Sequence, residues 1–324
     1  MSTDQPARDN NRRRRRRKPI YVESRIRASI DRLWESTQDP AQHQRWDLRF
    51  GEITYLPKVE GEPQRFTYAT AVAPGFTVAG TGESLGDRDR ADGTRWSGLK
   101  FWASDRRSII DSGAGYWRYV PTDDGVRFLT RYDYRPRWGR FGEALDRTVF
   151  RPTFGWATAW SFDRLRLWLE EGTPPERSRD LALAHGLATT GLVGVFLYQG
   201  IIPKLWKVDR DEVAIWQGLG LSSEHARSLV RLAGAGEAGF ALVTAARSGQ
   251  RWPFVVAIAA MPTLALGAAA SDRSILTKAF NPGSLGIAVA ALGAVALTTR
   301  EGRPSGRRPL RAAPDHQPDV EELP

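Results

Sequence analysis

Long apolar stretches dominate the C-terminal half of this 324-residue chain. Because the hydrocarbon core of a bilayer is about 30 Å thick and a helix rises about 1.5 Å per residue, a spanning helix needs about 17–25 apolar residues. Three stretches contain no Asp, Glu, Lys or Arg, and a fourth contains only Arg231 and Glu237. The pattern predicts four spanning helices, at about residues 181–203, 228–246, 252–270 and 284–299.

The N-terminal half instead shows the short period of β-strands. Apolar and polar residues alternate over positions 20–27, as in a strand with one solvent-exposed face. Ser29 can cap a predicted short helix at 30–36, Asp39-Pro40 stops that helix, and a second short helix is predicted at 41–46. Six further alternating runs, separated by hairpin-type turns, predict an antiparallel meander at residues 50–56, 65–72, 76–85, 94–103, 108–120 and 126–135. A spacing of three and four then predicts one long helix over residues 140–171.

Changes in composition divide the chain into five segments. The mean hydropathy of −0.42 hides this division because the polar N-terminal half offsets the apolar C-terminal half. The predicted segments are a disordered basic arm at 1–18, a soluble domain at 19–172, a linker at 173–180, a membrane domain at 181–300 and a disordered tail at 301–324.

Basic residues outnumber acidic ones by 47 to 37, and seven of them form the tract Arg12–Lys18. On a membrane-anchored chain we expect this tract to bind anionic lipid headgroups rather than nucleic acid; a merely solvated arm is the alternative. No apolar run follows the tract, so it is not a signal peptide, and the soluble domain should stay in the cytoplasm. More basic residues flank the predicted spans on that side, which predicts that both termini lie on the cytoplasmic side of the cell (inner) membrane.

The residue inventory excludes several kinds of chemistry. The chain has no cysteine, which excludes disulfides, thiolate catalysis and cysteine-held metal or iron–sulfur sites. Its four histidines show no metal-ligand spacing, so no metal site is expected. The predicted strands contain no Ser/His/Asp set, carboxylate pair or phosphate-binding loop.

The first 171 residues carry a short recognisable pattern. It consists of the opening strand 22–26, the segment 28–34 that ends in Leu33-Trp34, Asp39-Pro40 with Gln42-His43-Gln44-Arg45-Trp46, and the terminal helix. In these residues the chain resembles the SRPBCC superfamily, which includes the polyketide-cyclase, START-lipid and birch-allergen-like proteins. The resemblance implies an α+β helix-grip fold with an internal cavity for an apolar ligand. Candidate wall residues are Trp96, Trp102, Trp117, Trp156 and Trp160, although core filling is the simpler role for each of them.

Residues 181–299 carry a second set of motifs. These are Tyr198-Gln-Gly200-Ile-Ile-Pro203-Lys204 at the end of the first predicted span, Arg231-Leu-Ala-Gly234 with Glu237 in the second, and Asn281-Pro282 before the fourth. The chain here resembles the small four-helix branch of the DoxX-like membrane family. The resemblance implies an all-α four-helix transmembrane bundle and, since the family name comes from a quinone-linked oxidoreductase subunit, quinone as a possible cofactor. No other cofactor is evident.

Glu237 lies deep in the second predicted span, within predicted reach of Tyr198. A charged acid there costs several kcal/mol unless it is paired, so Glu237 marks either a proton-coupled or quinone-head-group site or a hydrogen bond that fixes helix packing. Lys204 either snorkels to the interface, the simpler role, or neutralises Glu237. The residues from Gly234 to Gly239 match GxGxxG, but inside an apolar helix small residues for close helix contact explain them better than a dinucleotide site.

The sequence thus favours a multi-pass membrane protein whose cytoplasmic domain binds a lipid, an isoprenoid or a polyketide-like molecule and exchanges it with the membrane or senses it there. Two alternatives stay open, a quinone-linked oxidoreductase subunit of DoxX type and a structural or regulatory membrane module. The scarcity of chemical motifs favours a protein that is not an enzyme by itself. Expected partners are membrane lipids and the apolar ligand, with a partner subunit or a second copy also possible.

Overall fold

The structure is a computed structural model that describes residues 18–73, 75–271, 273–277, 279 and 281–314. The chain forms two compact units, an N-terminal unit of residues 1–172 with 305–324 and a C-terminal unit of residues 173–304. The expected disorder of residues 1–17 and 315–324, and the proposed lipid contacts of the basic tract apart from Lys18, lie outside the described residues.

The N-terminal unit is built on a seven-stranded antiparallel sheet with the order β1-β7-β6-β5-β4-β3-β2. From β2 to β7 each strand pairs with the next one in the chain, which is the predicted meander, and β1 adds to β7 at the far edge. The strands are β1 (Ile20–Ile26), β2 (Glu52–Tyr55), β3 (Arg65–Ala73), β4 (Phe76–Asp89), β5 (Arg95–Trp102), β6 (Ile110–Thr122) and β7 (Gly125–Pro136).

Helices cover one face of this sheet. Ser29 caps α1 as predicted, because its side chain accepts a hydrogen bond from the backbone of Arg32. Asp39, expected to end that helix, also caps α2, since its side chain accepts from the backbone of Ala41. The predicted long helix is continuous but contains a π-helical turn at Asp146–Phe150 between α3 and α4. These helices are α1 (Ile30–Gln38), α2 (Pro40–Trp46), α3 (Gly139–Leu145) and α4 (Arg151–Glu171). The antiparallel sheet with a long closing helix resembles the expected helix-grip architecture.

The core of this unit lies between α4 and the sheet. Phe162 of α4 stacks on Phe128 of β7 with ring centroids 4.4 Å apart, and both side chains are fully buried. Gly172 ends α4 in the left-handed conformation, with φ of 66°, which glycine adopts without a Cβ penalty.

The segment Ser305–Leu310, here called the C-terminal strap, packs on the N-terminal unit. Leu310 forms a two-way backbone bridge with Glu23 of the edge strand β1, with both N···O distances at 2.9 Å. The backbone N–H of Ser305 donates to Asp163 of α4 at 2.8 Å, and Gly306 packs against Trp156. The expectation of a disordered tail is therefore wrong for these residues, because the open edge of β1 offers unpaired backbone groups that the tail satisfies.

The C-terminal unit is helical, and two of its helices are long and apolar enough to cross a membrane, Pro175–Trp206 and Ser223–Ala246. Within the described residues, the other two apolar stretches are shorter, at Trp252–Gly267 and Pro282–Thr298. The first helix begins six residues before the predicted span, so most of the predicted linker is helical. The helices are α5 (Pro175–Gly200), α6 (Arg210–Gly218), α7 (Ser223–Ala246), α8 (Trp252–Ser271) and α9 (Pro282–Thr298), with a π-helical turn at Ile201–Trp206 after α5 and a 3₁₀ turn at Arg273–Thr277.

Candidate functional site

A cavity of about 700 Å³ lies in the N-terminal unit between the covered sheet face and α4. Strands β2 to β7 supply its sheet wall, and residues 153–157 supply part of its helix wall. A cavity of this volume is in the range of small-molecule sites. The aromatic residues of its lining are His43, Phe50, Tyr55, Phe66, Tyr68, Phe76, Phe101, Tyr116, Trp117, Tyr132, Trp138, Phe150, Phe154 and Trp156.

Glycines opposite aromatic residues keep this space open. On the covered face, four glycines pair in register with an aromatic residue of the neighbouring strand, as Phe66↔Gly82, Tyr68↔Gly80, Phe101↔Gly113 and Tyr132↔Gly115. A Cβ atom on Gly82 would overlap the side chain of Phe66, and the other three glycines are equally close to their partners. Because each aromatic side chain occupies the space that a second side chain would fill, the aromatic residues form the wall without filling the cavity.

The five tryptophans expected at the cavity divide into two groups. Trp117 and Trp156 line it. Trp96 and Trp102 belong to β5, whose alternate residues Ser97, Leu99 and Phe101 line the cavity, so their side chains point to the other face of the sheet. Trp160 is buried in α4 outside the lining. A role in ligand contact is therefore structurally accessible to Trp117 and Trp156, and it stays a prediction for both.

The opening of the cavity is apolar. Six lining side chains are large, mainly apolar and between 42 % and 55 % exposed, so they border the place where the cavity meets solvent. They are Leu48, Tyr55, Val72, Trp138, Val149 and Trp156, here called the rim. Apolar side chains grouped around an opening favour contact with another apolar phase over contact with water.

One charged cluster faces this apolar space. Asp47 is 1 % exposed and accepts two hydrogen bonds from the Arg49 guanidinium, at 2.9 and 2.6 Å, while His43 Nε2 lies 3.1 Å from its Oδ2 atom. Burial by itself would raise the pKa of Asp47, but Arg49 and the hydrogen bonds from His43 and Arg49 hold it well below its usual range. Burial lowers the pKa of His43 and outweighs the opposing effect of Asp47.

Apart from Arg107, whose guanidinium lies 2.8 Å from a carboxylate oxygen of Asp105, the other side chains of the lining are uncharged. Burial raises the pKa of Tyr68 to about 12, so its hydroxyl stays protonated at physiological pH. Tyr132 donates to or accepts from Thr158 at 2.8 Å, and its ring centroid lies 5.5 Å from the Arg49 guanidinium carbon. Within the part of the chain that the structure describes, no group of three or more His, Asp or Glu side chains could hold a metal ion.

The deep acid of the C-terminal unit is paired. Lys204 Nζ lies 2.9 Å from both carboxylate oxygens of Glu237 and 3.5 Å from Oε1 of Glu212 in α6. Lys204 is only 8 % exposed, so the structure gives it the neutralising role and not the snorkelling one. Tyr198, the partner expected for Glu237, is 63 % exposed.

Two glycines bring this ion pair together. A Cβ atom on Gly234 would lie 2.6 Å from both Gly200 O and Lys204 Cβ, so α5 and α7 touch backbone to backbone at this point. By contrast, nothing lies within 4 Å of a Cβ placed on Gly236 or Gly239. The GxGxxG match is thus part of an uninterrupted helix, α7, and its first glycine serves close helix packing.

The remaining motif residues have local structural roles. Asn281 caps α9, because its side chain accepts from the backbone of Ser284 at 2.9 Å, and Pro282 occupies the first turn. Pro203 lies in the π-helical turn after α5, and its carbonyl accepts from the backbone of Asp209 at 2.8 Å. π-helical turns are frequent at functional sites, and this one carries Lys204.

Sequence reasoning missed the pairing of His43 with Asp47. The two residues are four positions apart across the end of α2, a spacing that places side chains on one helix face. The i, i+4 spacing of a histidine and an aspartate is the sequence signal for this pair.

Comparison with known proteins identifies a matching family model and a similar membrane protein. Residues 193–294 match the model of the DoxX-like family. The uncharacterized membrane protein YndG of Bacillus subtilis strain 168 is 44 % identical over 184 residues, which is 56 % of this chain and 69 % of that protein.

Several solved structures are similar to the chain at low identity. The protein TTHA0849 from Thermus thermophilus is 19 % identical, covers 42 % of this chain and 86 % of its own, and has a TM-score of 0.32. The STAR-related lipid transfer protein from Xanthomonas axonopodis is 20 % identical, the match covers 46 % of this chain and 84 % of that protein, and the TM-score is 0.36. The aromatase/cyclase Zhui from Streptomyces sp. R1128 is 17 % identical, the match covers 46 % of this chain and 96 % of that protein, and the TM-score is 0.35. These TM-scores are below 0.5, so the fold of the N-terminal unit rests on its own strand order and helix packing.

Proposed function

Since the chain belongs to the family of the membrane protein YndG and carries a DoxX-like domain at residues 193–294, we propose that its helix-grip domain binds a hydrophobic small molecule for exchange with the membrane or for sensing there. The observation that carries the proposal is an aromatic-walled cavity of about 700 Å³ whose rim is apolar and exposed. A lipid, an isoprenoid or a polyketide-like molecule fits this description.

The apolar rim supports exchange with a membrane in particular. A ligand that leaves an apolar cavity through water must expose its apolar surface, which costs about 25 cal/mol per Å². An apolar rim in contact with a bilayer surface removes most of that cost, because the ligand passes from one apolar phase to another. A cavity that opened through charged side chains would not offer this path.

The membrane arrangement is also part of the proposal. We propose that α5, α7, α8 and α9 all cross the inner membrane and that both termini are cytoplasmic, with the tract Arg12–Lys18 on anionic headgroups. The excess of basic residues beside the proposed cytoplasmic ends supports this orientation. A reporter fused to the C-terminus should be active only in the cytoplasm, and periplasmic activity would refute the four-span arrangement.

Two neighbouring residues of β5 allow a matched test of ligand binding. Leu99 lines the cavity, whereas Lys100 is exposed on the other face of the sheet. Leu99→Trp fills cavity space equal to about two methylene groups. At about 0.8 kcal/mol per buried methylene, the ligand loses about 1.6 kcal/mol of binding free energy, which is more than a tenfold loss of affinity. Lys100→Trp adds the same ring outside and should leave affinity unchanged.

The measurement is mass spectrometry of organic extracts from the full chain, purified in polymer-enclosed patches of native membrane. An apolar compound should be enriched over bulk lipid with the wild-type chain and with Lys100→Trp, and about tenfold less with Leu99→Trp. Equal amounts in all three preparations, or no enriched compound in any of them, would overturn the proposal.

A further inference from the structure

The charged cluster at one end of the cavity has the parts of a proton-transfer site. Oδ2 of Asp47 lies 3.1 Å from His43 Nε2 and accepts a hydrogen bond from Arg49 Nη2 at 2.6 Å. One buried carboxylate therefore holds a base and a cation side by side. The backbone N–H of Arg49 donates to the other oxygen at 3.0 Å. His43 and Arg49 both line the cavity, while Asp47 stands behind them.

The hydrogen bonds determine which nitrogen of His43 is basic. Arg49 keeps Asp47 ionised, and an ionised carboxylate only accepts hydrogen bonds, so Nε2 of His43 carries the proton and donates it. The lone pair is then on Nδ1, which has no hydrogen-bond partner among the described residues. Because burial lowers the pKa of His43, the imidazole is neutral and able to accept a proton near pH 7.

Aromatic rings hold the imidazole in place. Its ring stacks on Trp46 with centroids 5.0 Å apart and meets the rings of Phe50 and Trp117 edge-on, at 5.1 and 4.9 Å. Phe50 and Trp117 also line the cavity. A base that is fixed by packing and by a hydrogen bond from behind loses little freedom when a ligand arrives, and this is the arrangement that general-base catalysis requires.

We propose that the cavity is also a catalytic site, in which His43 acts as general base on an apolar carbonyl compound and Arg49 stabilises the resulting enolate. Asp47 is a positioning residue. The proposal rests on the proposed function, because it requires an apolar ligand in the cavity.

The step is a balanced isomerisation. Nδ1 of His43 takes a proton from the carbon next to the carbonyl group, and the electron pair of that C–H bond forms the enolate, whose charge lies on oxygen beside Arg49. The protonated His43, whose N–H protons exchange with solvent, then gives a proton to the same carbon, or to another carbon or the oxygen of the enolate. Nothing is oxidised or reduced, and no co-reactant is consumed.

The test measures exchange of the α-protons of 2-tetralone, an apolar bicyclic ketone, for deuterium in D₂O by proton NMR. The full chain is placed in nanodiscs, and empty nanodiscs give the background. His43→Gln keeps a donor toward Asp47 but removes the base. His225→Gln is the matched control, since His225 is an exposed histidine at the start of α7.

Exchange should be about 100-fold faster with the wild-type chain and with His225→Gln than with His43→Gln, because a positioned general base contributes about 10²–10⁴. Equilibrium dialysis of 2-tetralone in the same samples separates the two proposals. Binding without accelerated exchange would overturn the catalytic inference and leave the binding function intact, whereas absence of binding would overturn both.

The pH dependence of the wild-type rate keeps the inference falsifiable if His43→Gln does not fold. The charged groups that act on His43 are Asp47 and Arg49, and neither changes charge near neutrality. The exchange rate should therefore rise with a midpoint below 6.5, the ordinary value for histidine, and stay level above pH 7. A rate that keeps rising tenfold per pH unit would show hydroxide catalysis and refute the role of His43.

Discussion

Loss of the Lys204 ammonium should destabilise the C-terminal unit far more than loss of an exposed charge. Lys204 Nζ is 2.9 Å from both oxygens of Glu237 and 3.5 Å from Glu212, and the residue is only 8 % exposed. Lys204→Met keeps the length of the side chain and removes its charge. Two carboxylates then face each other without a cation.

The expected magnitude follows from burial and from the partners that remain. Removal of one member of a buried ion pair costs about 3–5 kcal/mol. The side chains of Glu237 and Glu212 keep 23 % and 32 % of their exposure, so we expect Lys204→Met to cost about 3 kcal/mol, the lower end of that range. Glu237→Met leaves Lys204 with Glu212 as its remaining partner, and should cost about 1–2 kcal/mol.

The double replacement Lys204→Met with Glu237→Met decides whether the pair is coupled. Exchange of a whole buried ion pair for apolar side chains is often neutral, so the double variant should be more stable than Lys204→Met alone. This outcome corresponds to a coupling energy of about 2 kcal/mol in the double-mutant cycle.

The assay is SDS-induced unfolding from mixed micelles, with pulse proteolysis of the C-terminal unit as the readout. Arg179→Met is the control, because Arg179 also lies 2.9 Å from its partner Asp180, but both side chains are more than half exposed. That control should have no measurable effect. The reasoning is refuted if Lys204→Met is as stable as Arg179→Met, or if the two single costs simply add in the double variant.

Three further predictions concern stability. The unfolded chain protonates His43 near pH 6.5 while the folded chain resists protonation, so the N-terminal unit should lose stability as the pH falls below 6.5. It should lose stability again below pH 3.8, where Asp47 of the unfolded chain becomes protonated. Unfolding monitored by fluorescence should show that His43→Gln reduces the first loss of stability. Gly234→Leu should cost about 1–3 kcal/mol in the SDS assay, since its Cβ would lie 2.6 Å from two atoms of the preceding span segment, whereas Gly236→Leu, with open space around it, should be neutral. Removal of the C-terminal strap should cost about 3 kcal/mol, from three backbone hydrogen bonds at about 1 kcal/mol each, and a chain cut just after the strap should be as stable as the full chain.

Regular elements of the N-terminal unit could be predicted from the sequence within a few residues. The predicted run 65–72 is β3, Arg65–Ala73, and the predicted helix at 41–46 is α2, Pro40–Trp46. These elements follow from side-chain period and capping residues, which act over neighbouring positions. The same local signals account for the cap at Asn281.

Which tryptophans face the cavity could not be predicted. Trp96 and Trp117 both belong to amphipathic strands, but the face that α4 covers decides which of the two is inside. Local periodicity defines two faces of a strand and does not say which one is buried when both contain aromatic residues. The cavity itself depends on glycines that lie opposite aromatic rings, and this match exists only once the strands are in register.

The sequence by itself determined the class of each segment and the positions of its helices and strands. These features depend on hydrophobic period, apolar length and capping residues, which are properties of neighbouring positions. Tertiary structure alone decided which distant residues meet. Lys204 and Glu237 are 33 positions apart, and Ser305 and Asp163 are 142 apart. The first pair forms because two helix backbones approach closely at Gly234. The second forms because the C-terminal strap packs on α4 and pairs with the open edge of β1. No local pattern encodes either approach.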